Sequence, residues 1–298
     1  MASWTGKTKG NVLGYKIFVL ILKHLNIRVA YFVLYFVAFY YFLFTKKESI
    51  HYYFKEIHHY SPLRTTISVY KNFLVFGKIL IDRVAILAGF SKKFSFTFQG
   101  EEYLHQMARD NTGGVLLGAH MGNWEIAGQL LQRIDTKVNI VMFDGEQQNI
   151  KNYIDSVVSE KKIGIIFIQK DNFNYLKEID QALKNKEMIA IHGDRVLPGS
   201  SNTVTCNFMG KPADFPTGPM YLASKYQVPV TYVSAIKETT THYHFYATEP
   251  KIFPYPAKLS QRKVMLQQML TDYVKNLEKM LWQYPLQWFN YYHFWKTP

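Results

Sequence analysis

Between residues 115 and 192 short apolar runs alternate with stretches of helical period, and no other feature constrains the fold as much. Residues 115–119, 139–143, 165–168 and 188–192 have the length and the β-branched content of buried strands. Residues 126–131, 147–162 and 174–185 separate them and read as helices. Such alternation predicts an α/β fold: a mostly parallel central sheet flanked by helices, which binds its ligands at the carboxyl ends of the strands.

Two of those ends carry reactive side chains. The first run stops at His120, and Gly122, Asn123, Trp124 and Glu125 follow. Gly122 and Asn123 supply turn and N-cap chemistry for a helix whose first turn holds Glu125. A carboxylate folded back on one ring nitrogen of His120 fixes its tautomer and stabilises the imidazolium, which leaves the other nitrogen to act as a base toward a hydroxyl. The same spacing also suits a histidine packed at a sheet edge beside a solvated Glu125. Backbone N–H groups from Gly122 to Trp124 are the nearest donors for a developing oxyanion. At the second end, strand 188–192 runs into Gly193, Asp194 and Arg195. A guanidinium there holds a phosphate bidentately, or pairs with Asp194 or another acid to shape the turn.

The flanks point to a membrane. Residues 1–28 place Lys7, Lys9, Lys16, Lys23 and Arg28 around an apolar run, the pattern of a basic amphipathic helix at a bilayer surface. Residues 29–44 follow without a charge; as a helix they reach about 24 Å, short of the roughly 30 Å hydrocarbon core, so a short span and a surface dip both fit. The division expected is an anchoring segment over 1–48 and one compact domain over 49–298. Helices are expected over 50–89, broken near Ser61-Pro62, then a strand carrying Phe94, Phe96 and Phe98 and a short helix over 101–110. A loop over 200–217 suits a lid on a channel. A helix over 221–226 follows, then strands over 230–235 and 242–248, the latter an antiparallel edge, and an amphipathic helix over 264–281.

Composition narrows the chemistry. Thirty-five Lys and Arg against 22 Asp and Glu give a net charge of +13 and call for an anionic partner. The 22 Tyr and 22 Phe favour lipid over nucleic acid, since the basic residues are scattered among apolar runs rather than gathered into a stripe. One cysteine, Cys206, rules out a disulfide framework. No metal site is expected: His58 and His59 are adjacent on a helix and point different ways, and His242 and His244 share a strand face without a third ligand. Nor is a serine-hydrolase elbow, zinc-protease motif or nucleotide-binding glycine loop present, and a covalent acyl-enzyme through Ser200, Ser201 or Cys206 has no partnered base in the sequence.

His120-x4-Glu125 after a short apolar strand, then Gly193-Asp194-Arg195, then the block from Phe208 through Gly218-Pro219, and finally Tyr284-Pro-Leu-Gln-Trp288-Phe289 resemble, in this order, the bacterial lysophospholipid and lipid A acyltransferases, above all the late acyltransferases of lipid A. Relatives often carry Asp in place of Glu125 and Asp-Gln in place of Asp194-Arg195. The resemblance implies direct transfer of a fatty acyl chain from a thioester to a hydroxyl of a lipid A precursor, with His120 and Glu125 catalytic and no cofactor. Gly122, Asn123, Trp124, Asp194 and Arg195 are expected at the substrate. It further implies acyl carrier protein as donor partner, with acyl-CoA as the variant, anionic membrane lipids around the anchor, and a bacterial inner membrane with the catalytic part on its cytoplasmic face. Lys46 and Lys47 balance the basic amino terminus, so charge alone sets no orientation. The aromatic carboxyl end, from Trp282 to Trp295, is expected in a lipid-facing or acyl-binding wall, or else in ordinary core. The rival readings are the same chemistry on a lysophospholipid, an aminolipid or a polyene-pigment lipid, and a non-catalytic basic protein that binds anionic membranes or nucleic acid.

Overall fold

The structure is a computed structural model that describes residues 25–124, 126, 133–143, 163–169, 174–196 and 200–296. The basic segment before residue 25, the helix expected over 147–162 and all but Ile126 of the one expected over 126–131 lie outside the described residues.

Among the described residues the sheet has seven strands. Its strands are β1 (Ser95–Gln99), β2 (Gly114–Gly118), β3 (Val138–Phe143), β4 (Ile163–Ile168), β5 (Met188–His192), β8 (Val230–Lys237) and β9 (His242–Ala247). β6 (Thr203–Phe208) and β7 (Lys211–Pro216) pair apart from it. The order is β1-β9-β8-β2-β5-β3-β4, parallel at every pairing except β8 with β9. β2 is buried at every position because both faces are covered, which is why it is apolar without alternation. β9 is antiparallel to β8 as expected, yet it is not an edge: β1 pairs along its outer side. The segment over 200–217 forms a hairpin rather than a loop. Met209 and Gly210 both adopt positive φ, +51° and +86°, the conformation that a two-residue turn needs to match strand twist.

One face of the sheet carries Val115, Leu117, Ile189 and Val230 against α5 (Asn174–Lys184), α6 (Gly218–Tyr226) and the long α7 (Leu259–Gln283), and this is the main core. The stripe Leu270, Tyr273, Val274, Leu277 and Leu281 of α7 is buried there, as its helical period requires. The opposite face buries Leu116 and Met188 against Leu104 and Met107 of α4 (Glu101–Arg109).

The amino-terminal part is helical: α1 (Ile27–Phe44), the short α2 (Glu48–Tyr52) running into a wider turn to Ile57, and α3 (Pro62–Ala85). Ser61 caps α3 and Pro62 occupies its first turn, so the break lies where the sequence places it. α1 is 18 residues long with mean hydropathy 1.8, long and apolar enough to cross a membrane. Ala30, Tyr31, Leu34 and Ala38 pack toward α3, whereas Phe32, Phe36, Phe39 and Phe44 stand exposed, Phe44 at 73%.

A buried polar knot joins these helices to the sheet. Asp82 of α3 accepts from Tyr31 of α1, from Tyr243 of β9 and, at 2.5 Å, from Lys237 Nζ of β8. Lys237 also donates to the Thr240 carbonyl at 2.6 Å. A charge pair this deep persists because each member is hydrogen-bonded as well as paired.

Candidate active site

The sequence places a turn after β2, and what holds that turn comes from the far end of the chain. Gly122 has φ +63°, and a Cβ there would lie 2.0 Å from the Ala235 carbonyl, so only glycine lets the loop run against β8. The N–H of Gly122 donates to the Gln287 carbonyl at 2.9 Å, that of Asn123 to the Ala235 carbonyl at 2.7 Å, and that of Phe289 to the His120 carbonyl at 3.0 Å. Asn72 of α3 clamps the same carboxyl-terminal segment by donating to the carbonyls of Leu286 and Trp288, each at 3.0 Å. The His120 loop is thus sandwiched between β8 and residues 287–289.

Among the described residues, Asp194 is the carboxylate on the ring. His120 Nδ1 lies 2.7 Å from Asp194 Oδ1, and the backbone N–H of His120 donates to Asp194 Oδ2 at 2.9 Å. The Trp288 indole N–H reaches Oδ2 at 3.4 Å. Both oxygens therefore have protein donors. The pairing follows from register. Gly118 of β2 and His192 of β5 are opposite each other in parallel strands, so the turns just beyond them, with His120 and Asp194, meet. Glu125, expected in this role, lies outside the described residues.

The remaining site residues divide. Asn123 is buried; its Oδ1 accepts from the Ile126 N–H at 3.3 Å as an N-cap, and its Nδ2 donates to the Tyr243 hydroxyl at 3.2 Å. Through Tyr243 it connects the helix start to the Asp82 knot. The amides of Gly122 and Asn123 are likewise bonded to carbonyls. Trp124 and Arg195 do line the cavity, and the Arg195 Nη2 donates to the Phe289 carbonyl at 3.3 Å.

Electrostatics favour the neutral form of His120. Burial depresses its pKa below the ordinary value; Asp194 opposes this and Arg195 adds to it. The ring is therefore neutral at pH 7, with Nδ1–H directed at Asp194 and Nε2 left as the acceptor. Burial pushes the Asp194 carboxyl upward, but His120, Arg195 and His192 together outweigh it and hold the group below the usual carboxylate range. An ionised carboxylate behind a neutral imidazole is the arrangement that stabilises the imidazolium formed on proton uptake.

His120 opens into a cavity of about 780 Å³, within the range of pockets that enclose extended ligands. Leu104, Leu116, Ile140, Val233 and Phe245 make it apolar, while His192, Arg195 and Lys225 supply polar points. The carboxyl-terminal aromatics are not its wall. Trp288 is 1% exposed and meets Phe208, Phe294, Trp295 and Tyr53 edge to face in the core. Among the described residues no cluster of three His, Cys, Asp or Glu is arranged to hold a metal ion.

A base held by a carboxylate at the mouth of an apolar cavity suits acyl transfer, and comparison with known proteins agrees. Residues 58–297 match the family model described as bacterial lipid A biosynthesis acyltransferase. The chain belongs to this family. It is accordingly an acyltransferase, with the mostly parallel α/β sheet expected of it. Among solved structures the acyltransferase is similar to the 1-acyl-sn-glycerophosphate (LPA) acyltransferase PlsC from Thermotoga maritima, at 18% identity and a TM-score of 0.39, over 90% of this chain and 96% of that one. No curated protein matches it.

Two residues beside the His120–Asp194 pair have no catalytic role among the expectations from the sequence. His192 appears there only as the last residue of a strand, although a titratable side chain at the carboxyl end of a parallel strand is itself a signal. Trp288 is read as part of an aromatic wall; its indole bond to Asp194 depends on a contact 94 residues away in sequence.

Proposed function

We propose that the chain is a membrane-associated O-acyltransferase that moves a fatty acyl group from an acyl thioester, acyl carrier protein rather than CoA, to a hydroxyl of a lipid A precursor. The observation that carries this reading is the His120–Asp194 pair at 2.7 Å opening into the apolar cavity. His120 Nε2 accepts the hydroxyl proton while the oxygen bonds to the thioester carbon. The tetrahedral intermediate then collapses, the C–S bond breaks, and the leaving thiolate takes the proton back from Nε2. No covalent acyl-enzyme is needed.

Residues 1–48 act as anchor and 49–298 as catalytic domain. The exposed phenylalanines of α1 enter the bilayer, and the anionic lipids meet the basic residues before them. The catalytic domain faces the cytoplasm of the inner membrane, where acyl thioesters are made. A net charge of +13 favours an acidic carrier protein as donor through electrostatic steering.

The test is mass spectrometry of lipids from a deletion strain, together with labelled acyl carrier protein incubated with the extracted lipid fractions and pure enzyme. Loss of one acyl chain from lipid A, restored by the wild-type gene and not by His120→Ala, is expected. An unaltered lipid A with label entering a lysophospholipid, aminolipid or pigment lipid would transfer the mechanism to that acceptor and refute the lipid A assignment.

A further inference from the structure

Transfer through a tetrahedral intermediate requires a donor for the carbonyl oxygen, and of the three amides at the expected position those of Gly122 and Asn123 already point at the carbonyls of Gln287 and Ala235, which leaves that of Trp124. A further candidate beside His120 is a side chain. The His192 ring centroid lies 4.4 Å from that of His120, with the planes inclined at 62°. Trp124 flanks both rings, at 5.4 Å and 5.5 Å. His192 lines the cavity, and among the described residues neither of its ring nitrogens has a hydrogen-bond partner. Space for the ring is built in: a Cβ on Gly118 would lie 3.1 Å from His192 Cδ2 and 3.6 Å from Nε2.

We infer that His192 is a catalytic residue of this acyltransferase, donating a ring N–H to the thioester carbonyl oxygen and to the oxyanion it becomes. The inference rests on the acyl-transfer reading of the same site. A carbonyl under attack by a hydroxyl oxygen that donates its hydrogen bond to His120 Nε2 carries its own oxygen within a few ångströms of that ring, the separation at which His192 stands. The two histidines divide the labour. Asp194 commits His120 to accepting a proton, whereas His192, outside hydrogen-bond reach of any carboxylate among the described residues, has no such partner and keeps an N–H for the substrate. Burial, with His120 and Arg195, pushes the His192 pKa down to about 3, so the ring stays neutral. A neutral imidazole can polarise a carbonyl without surrendering its proton. Protons balance with His120 alone as carrier: Nε2 takes one from the hydroxyl and returns it to the thiolate, while the N–H of His192 is unchanged across the cycle.

The experiment compares the full chain in detergent with His192→Phe, His192→Gln and His120→Ala, using labelled acyl carrier protein and the lipid extract of the deletion strain. Circular dichroism and thermal melting establish folding, and His192→Ala replaces the Phe variant if that one does not fold. His192→Phe should lower kcat by about 10²–10³-fold, with the KM for the acyl carrier protein within about threefold of wild type. His192→Gln, which keeps a neutral N–H donor, should recover tenfold or more of the loss. Folded Phe or Ala protein with kcat within threefold of wild type, a loss confined to KM, or no recovery by Gln overturns the inference. Activity surviving in His120→Ala would instead overturn the acyl-transfer reading on which it rests.

Discussion

Replacing Asp194 by Asn tests the geometry of the base most directly. The native carboxylate is an acceptor at both oxygens, Oδ1 for the ring N–H of His120 and Oδ2 for the backbone N–H of His120 and the indole of Trp288. An amide accepts at only one of the two positions. If its oxygen faces the ring, its NH₂ confronts two donors, which costs about 1–3 kcal/mol of stability for unsatisfied buried groups. If it flips, the NH₂ faces Nδ1, the ring proton moves to Nε2, and the atom that must accept from the hydroxyl is occupied. The second arrangement satisfies more bonds and should prevail. The expected loss in kcat is about 10³–10⁴-fold, or roughly 4–5.5 kcal/mol in the barrier, with donor KM little changed. Thiol release from the acyl thioester, followed continuously with a thiol-reactive chromophore, measures it. A folded Asp194→Asn protein that keeps more than a tenth of wild-type turnover, or that loses activity through KM alone, would show that Asp194 does not set the tautomer.

The pH profile offers a second check. Because the His120 pKa is held below 6.5 mainly by burial, kcat should be flat at neutral pH and fall only as pH drops through that lowered value; an acid limb centred above 6.5 would contradict it. The buried knot predicts a thermodynamic cycle. Asp82→Leu or Lys237→Met alone, each stranding one charge, should destabilise by about 3–5 kcal/mol in denaturant titration, while the double variant should be much closer to wild type.

The sequence alone determined the architecture and one half of the site. A period of two or an unbroken apolar run against a period of 3.6 is a local property, and it placed β1, β2, β5, α3 and α7 because each buries a face whose spacing is written in consecutive residues. Strand alternation in turn put His120 and Asp194 at carboxyl ends of a parallel sheet. Which acid meets which nitrogen is not local. Glu125 is five residues from His120 and Asp194 is 74 away, and only the pairing of β2 with β5 makes the distant one a neighbour. The same holds for residues 200–217, whose loop-like composition hides a hairpin closed by pairing of Cys206 with Ala213. It holds as well for Trp288, Phe289, Phe294 and Trp295, which look lipid-facing by composition but are buried, with residues 286–289 clamped by Asn72 and the His120 loop, while Trp282 stays exposed. Spacing along a chain encodes which face a side chain takes; contact between faces far apart in sequence is decided only when the whole core packs and each buried polar group must find its partner.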